Sequence, residues 1–161
     1  MNIKQLKKIC LDERIPIIRD DTLNLIIHLI QDNDFHSVLE IGTAYGYSTK
    51  AFSIIIGIKE VTSLELNPDN YQKAISYLND ESKIKLINVN AFDFKPEKTY
   101  DFIFIDGPKS HQEKLVTKYL TYLNQRGIMI VDNIFLKKFQ NQTTLTKNQQ
   151  SLLNKVRAFK Q

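Results

Sequence analysis

A single cysteine, Cys10, leaves this chain no internal disulfide and no four-cysteine zinc centre. No apolar run approaches the roughly 20 residues that cross a bilayer. The longest candidate, from Ala51 to Ile58, stops at Lys59. Lys4, Lys7 and Lys8 lead the N-terminus, but the apolar segment and small-residue cleavage site of a secretion signal do not follow. A reducing cytoplasm is therefore the expected compartment, with no membrane partner. Internal repeats, low-complexity linkers and breaks in composition are also missing, so the 161 residues read as one domain. What is present is ordinary for a globular chain. Residues are 42% hydrophobic and 25% charged, which excludes disorder as the main description.

Charge says little by itself. Twenty-two Lys and Arg against 18 Asp and Glu give a net +4, a balance found in proteins of every function. Its distribution says more. Lys137, Lys138, Lys147, Lys155, Arg157 and Lys160 meet no acidic residue after Asp132, and a basic segment beside a site can hold phosphates.

Short apolar runs alternate with segments of helical period, the pattern of a parallel sheet covered by helices. Cys10 shares an N-terminal apolar stripe with Ile3, Leu6 and Ile9. A helix is expected from about Asp20 to Gln31, capped by Asp20 or Asp21, with Leu23, Ile26, Ile27 and Ile30 on one face. Strands are expected at Ser37 to Ile41, Val61 to Leu66, Ile84 to Val89, Asp101 to Ile105 and Gly127 to Val131. Helices are expected from about Gly46 to Ile56, from Pro68 to Asn79, from Ser110 to Leu123 and from Thr146 to Lys160. The whole is a doubly wound α/β domain entered through one or two N-terminal helices. In such a sheet ligands bind beyond the carboxyl ends of the strands. Those ends carry Glu40 to Gly46, Glu65, Asn90 with Ala91, Asp106, and Asp132 with Asn133. Any one of these reads equally well as a cap or a turn residue. Five together do not.

Val38 to Thr49 reads as strand, glycine turn and helix start. Gly42 allows the tight turn, and Gly46 keeps the helix entry close. Glu65 ends the next strand, about 20 residues on, where a carboxylate accepts both hydroxyls of a ribose. A nucleotide-like cofactor follows. The third glycine of the dinucleotide fingerprint and the Gly-Lys-Ser/Thr of the phosphate loop are both missing, which disfavours NAD and ATP.

The run Leu39-Glu40-Ile41-Gly42-Thr43-Ala44-Tyr45-Gly46-Tyr47-Ser48-Thr49 resembles the first motif of class I S-adenosylmethionine (SAM) dependent methyltransferases, in the form of the metal-dependent O-methyltransferases. Arg14 to Ile18, Phe104-Ile105-Asp106 and Val131-Asp132-Asn133-Ile134 resemble most the bacterial tRNA 5-hydroxyuridine methyltransferases of that group. The resemblance implies a Rossmann-like fold with strand order 3-2-1-4-5. It implies that Glu40, Gly42, Thr43, Gly46, Tyr47 and Ser48 meet the methionine end of SAM, with Asp106 alongside. Glu65 would take the ribose, and Asn90 and Ala91 the adenine. Asn67 and Asn90 stand where such enzymes often carry Asp.

Asp106, Asp132 and Asn133 offer hard oxygen donors without histidine or thiol, a set that suits Mg²⁺ and its need for about six oxygens. An acceptor with two neighbouring oxygens would complete that number. Asp132-Asn133 also reads as a turn after the strand, and Asp106 as a cap for the helix at Ser110. The resemblance makes Lys109 catalytic together with Asp106. Near a cation and a sulfonium its ammonium is disfavoured, so it can serve as a base. The alternative is a solvated loop lysine, and His111 reads as a helix-surface residue. Asp106 is followed by Gly107-Pro108-Lys109 and lacks the Pro-Pro-aromatic run of N-methyltransferases. The expected acceptor is 5-hydroxyuridine in tRNA. A small catechol-like hydroxylated molecule is the second candidate, and a SAM-binding protein without catalysis the third. Class I methyltransferases carry a sixth and a seventh strand, and no strand-like run follows Val131, so both are expected to be missing here. The fifth strand would then be an open edge, which invites pairing with another chain and makes a homodimer an expected partner state.

Overall fold

The computed structural model describes residues 1–107 and 109–132. Two helices open the chain. Helix α1 (Ile3–Asp12) starts in a capping box, where Asn2 Oδ1 accepts from Gln5 N and the Gln5 side chain accepts from Asn2 N. Leu6 and Cys10 are its buried face. Arg14, with φ at +56°, reverses the chain after it. Helix α2 (Asp20–Asp32) buries Leu23, Ile26 and Ile30, as its periodicity predicts. Its N-cap is Arg19, with no side-chain cap bond. Asp20 and Asp21 fall inside the first turn, where their charge favours the positive helix end. The capping role expected of them is thereby corrected.

The sheet then alternates with helices: β1 (Ser37–Ile41), α3 (Tyr47–Ser53), β2 (Glu60–Glu65), α4 (Pro68–Leu78), β3 (Ile84–Asn88), β4 (Tyr100–Ile105), α5 (Gln112–Tyr119) and β5 (Leu123–Val131). Short 3-10 turns flank α5 at Lys109–His111 and Leu120–Tyr122. All neighbouring strands are parallel, in the order β3-β2-β1-β4-β5, as expected. Several boundaries differ from expectation, and α5 itself is shorter than the expected Ser110 to Leu123. Helix α3 stops at Ser53, and Gly57 turns back with φ at +96°. Strand β5 begins at Leu123, because an irregularity in its register lets Leu123 face Tyr100 while Ile128 faces Phe102. The expected helix at 146–160, Asn133 and the basic segment lie outside the described residues. Among the described residues no helix is long and apolar enough to cross a membrane.

The period of two along the strands divides the core. On one face Val38, Phe102 and Phe104 pack against α2 and α3, with Phe52 edge-on to Phe102 and Phe104 at 6.3 and 5.5 Å. On the other face Leu39, Ile41, Ile103 and Ile105 pack against Leu115, Val116 and Tyr119 of α5. Fully burying each such side chain contributes about 1.5–3 kcal/mol, so the strand ends rest on a rigid base.

Candidate active site

The glycine loop forms where β1 runs out between β2 and β4. Gly42 N donates to Leu64 O at 2.9 Å, and Asp106 N donates to Ile41 O at 2.8 Å. This closeness explains the glycine. Its φ is +104°, and a Cβ there would lie 2.1 Å from the Asp106 carbonyl oxygen. At Gly46 φ is +87°, and a Cβ would meet the Leu78 Cδ1 methyl at 2.5 Å. Between them Ala44 also takes a positive φ, +48°. Its N–H donates to Glu65 Oε2 at 2.7 Å, which holds a conformation that alanine disfavours.

Glu65 has a second tie, accepting from Asn67 N at 2.8 Å. It is 8% exposed at the end of β2, and each carboxylate oxygen keeps a further lone pair. Asn67 caps α4, accepting from Asp69 N and Asn70 N. Beyond β3, Asn90 and Ala91 open a tight turn at the same end of the sheet.

Glu40 lies beneath the glycine loop, on β1. It is fully buried, and three hydroxyls donate to its carboxylate: Ser48 Oγ at 2.5 Å, Ser63 Oγ at 2.6 Å, and Thr49 Oγ1. Thr43 Oγ1 joins through Ser63 Oγ at 2.6 Å. Through these bonds Glu40 supports the loop from beneath. Burial drives its carboxyl up to about 7 against the pull of the three hydroxyls, with the charge of Asp106 adding to the rise. The Thr43 and Ser48 hydroxyls point into this network, and both residues line the crevice.

The crevice is lined by Gly42 to Tyr45, Tyr47, Ser48 and Asp106, and on its other side by Cys10 and Ile15 to Ile18. The segment after α1 thus covers the loop. Tyr45 OH donates to Glu13 Oε2 at 2.8 Å and fastens the two together, while Lys7 Nζ sits 5.8 Å from the centre of the Tyr47 ring. Sequence reasoning treated Cys10 as packing, which its full burial supports, but missed the covering role of Ile15 to Ile18. It also missed Leu66 and Phe92, which are 65% and 39% exposed just past the ends of β2 and β3. The available signal was Leu66 directly after Glu65 and Phe92 two residues after Asn90.

Asp106 and Asp132 end neighbouring strands. Asp132 N donates to Ile105 O at 2.9 Å, so the two residues lie side by side where β4 and β5 stop. Burial, and then the charge of Asp132, push the Asp106 carboxyl up to about 6. Gln112 Nε2 donates to Asp132 O at 2.8 Å and ties α5 to the end of β5. The cap for α5 is His111 rather than Asp106, and it makes no side-chain cap bond. Lys109 opens the 3-10 turn that follows Asp106 and Gly107. His111 is exposed, edge-on to Phe92 at 5.7 Å, in keeping with a surface residue. Among the described residues no group of three His, Cys, Asp or Glu is gathered for a metal. The expected trio has two carboxylates, and its third member, Asn133, lies outside the described residues.

Solved structures share this architecture. A protein assigned as a caffeoyl-CoA O-methyltransferase from Staphylococcus aureus is 31% identical, with a TM-score of 0.77 over 99% of this chain and 80% of that one. An O-methyltransferase from Bacillus cereus, solved with S-adenosylhomocysteine (SAH), has a TM-score of 0.75 at 19% identity, over 97% of this chain and 76% of its own. The O-methyltransferase TomG from Streptomyces achromogenes, solved with SAM, has 0.73 at 16% identity, over 97% and 75%. These last two share the fold. The model of the O-methyltransferase family matches residues 1–160, and with the glycine loop and the strand-end acids in place, the chain belongs to that family.

Proposed function

We propose that this O-methyltransferase takes its methyl group from SAM, is assisted by Mg²⁺, and methylates a hydroxyl with a neighbouring oxygen, 5-hydroxyuridine in tRNA being the acceptor. The observation that carries this reading is the meeting of a glycine-shaped cradle, a buried strand-end carboxylate and two adjacent acids at one end of the sheet. Bound SAM supplies an electrophilic sulfonium methyl. Around it, Gly42 admits the ligand against the backbone, Glu65 accepts the ribose hydroxyls, and Leu66 and Phe92 offer apolar surface beside Asn90 and Ala91 for a flat ring. Ile15 to Ile18 keep water from the reacting end.

The fit to Mg²⁺ lies in two acids at adjacent strand ends, where burial first and then the charge of Asp132 raise Asp106. Asp106, Asp132 and Asn133 would hold such a cation through oxygen, and its charge would favour the ionised acids. Bound there, it would lower the pKa of an acceptor hydroxyl, worth about 1.4 kcal/mol per unit. Lys109 would take the acceptor's proton. The basic run from Lys137 to Lys160, which meets no acidic residue after Asp132, supports an RNA acceptor. The caffeoyl-CoA assignment of the Staphylococcus aureus relative supports the second reading, a small catechol-like acceptor.

Methyl transfer from tritiated SAM to tRNA bearing 5-hydroxyuridine, and separately to catechol, each with and without EDTA, tests these readings. Label in tRNA that EDTA abolishes supports the first, and label in catechol alone supports the second. Transfer undiminished by EDTA overturns the metal. Asp132→Ala should abolish turnover while SAM still binds, and normal methylation by that variant would also remove the metal reading.

A further inference from the structure

We propose that Lys118 is a positioning residue for the cofactor, setting the 90–94 turn so that the turn discriminates the purine ring. This rests on the SAM reading above and adds a residue from the far side of α5. Lys118 Nζ donates to three carbonyls of this one turn, Ala91 O at 2.8 Å, Phe92 O at 2.8 Å and Phe94 O at 2.5 Å. An ammonium has three protons, and all three are used. The neighbouring Tyr119 OH donates to the same Ala91 O at 2.7 Å.

Inside the turn Asn90 O accepts from Asp93 N at 2.8 Å and Phe94 N at 3.2 Å, and Asn90 Oδ1 accepts from Phe92 N at 2.9 Å. The Ala91 N–H stands outside these bonds. The Ala91 carbonyl fixes the peptide plane of Phe92 N, and the Phe92 carbonyl fixes that of Asp93 N, whose N–H holds Asn90 O and with it the plane of the Ala91 N–H. Water would satisfy the same carbonyls but leave their directions free. Ordering the turn beforehand lowers the cost of binding, and fixing its donors sharpens the choice between rings that differ in one polar group.

Calorimetry on the full chain tests this with two ligands, SAH and S-inosylhomocysteine, in which the ring amine is replaced by oxygen. The unaltered protein should prefer SAH. In Lys118→Met the SAH affinity should fall about tenfold and the preference should narrow, because the turn no longer holds one geometry. Tyr119→Phe removes one donor to Ala91 and should show the same change, about threefold, and it carries the test if Lys118→Met does not fold. SAH affinity and ring preference both unchanged in a folded variant would overturn the proposal. An affinity loss equal for both ligands would reduce Lys118 to a structural role and overturn it too. Failure of the unaltered chain to bind SAH would overturn the SAM reading itself, a separate result.

Discussion

Glu40 and Glu65 end adjacent strands, carry the same group, and meet opposite conditions. Glu40 is sealed under the loop, and burial raises its carboxyl to about 7. A raised acid binds more protons folded than unfolded, so its contribution to stability falls as pH rises from the ordinary glutamate value to about 7, and is restored below that window. Glu40→Gln should flatten the stability-pH curve between about pH 4.5 and 7, an effect on the order of 3 kcal/mol, read by urea unfolding across that range. Glu65 is held by two backbone N–H donors, from Ala44 and Asn67. Glu65→Ala should weaken SAM binding by about 1–3 kcal/mol, as loss of charge-assisted bonds does. Unchanged affinity by calorimetry in a folded variant would remove Glu65 from the ribose.

At the scale of elements, the glycine loop is shaped by the strands on either side. At Gly42 an added Cβ meets backbone, the Asp106 carbonyl, while at Gly46 it meets the movable end of Leu78. Both positions have positive φ, so both substitutions are strained, but only one must shift a strand end. Gly42→Ala should destabilise by about 2–4 kcal/mol and abolish SAM binding. Gly46→Ala should cost about 1–2 kcal/mol, with binding weakened rather than lost. Thermal unfolding and calorimetry on the pair would show this order or refute it.

For the molecule as a whole, the opposite end of the sheet, where the strands begin, matters as much as the site. Asp101 Oδ2 accepts from His36 N at 2.9 Å, Ser37 N at 3.0 Å and Ser37 Oγ at 2.9 Å, while Oδ1 accepts from Asn124 Nδ2 at 2.5 Å. One carboxylate thus joins β1, β4 and the irregular start of β5. Burial alone would raise its pKa, but the donors of His36, Asn124 and Ser37 outweigh burial and lower it. A lowered acid gives its full stabilisation above the ordinary carboxylate value and loses it as pH falls through the folded value. Asp101→Ala should destabilise the whole domain by about 2–4 kcal/mol at pH 7, with the difference from wild type shrinking in strong acid. Denaturant titrations at the two pH values would check it.

The alternation of strands and helices, the glycine turn and the acids at strand ends were legible in the sequence, because each depends on local period or on the next few residues. Pro68 at the start of α4 and the apolar run of β4 show this directly. The order of strands followed only from the family resemblance. The start of β5 was not legible, since Leu123 joins the sheet through a register irregularity opposite Tyr100 and Phe102. Nor was the cap of α2, where the chain places Arg19 ahead of two acids of better capping type. The sequence by itself determined which side chains reach the carboxyl end of the sheet. Only the tertiary structure decided that Glu40 faces three hydroxyls instead of the crevice, that Ile15 to Ile18 cover the loop, and that Lys118 grips residues 91 to 94. Those contacts join segments far apart in the chain, and their geometry exists only once the sheet has brought its strand ends together.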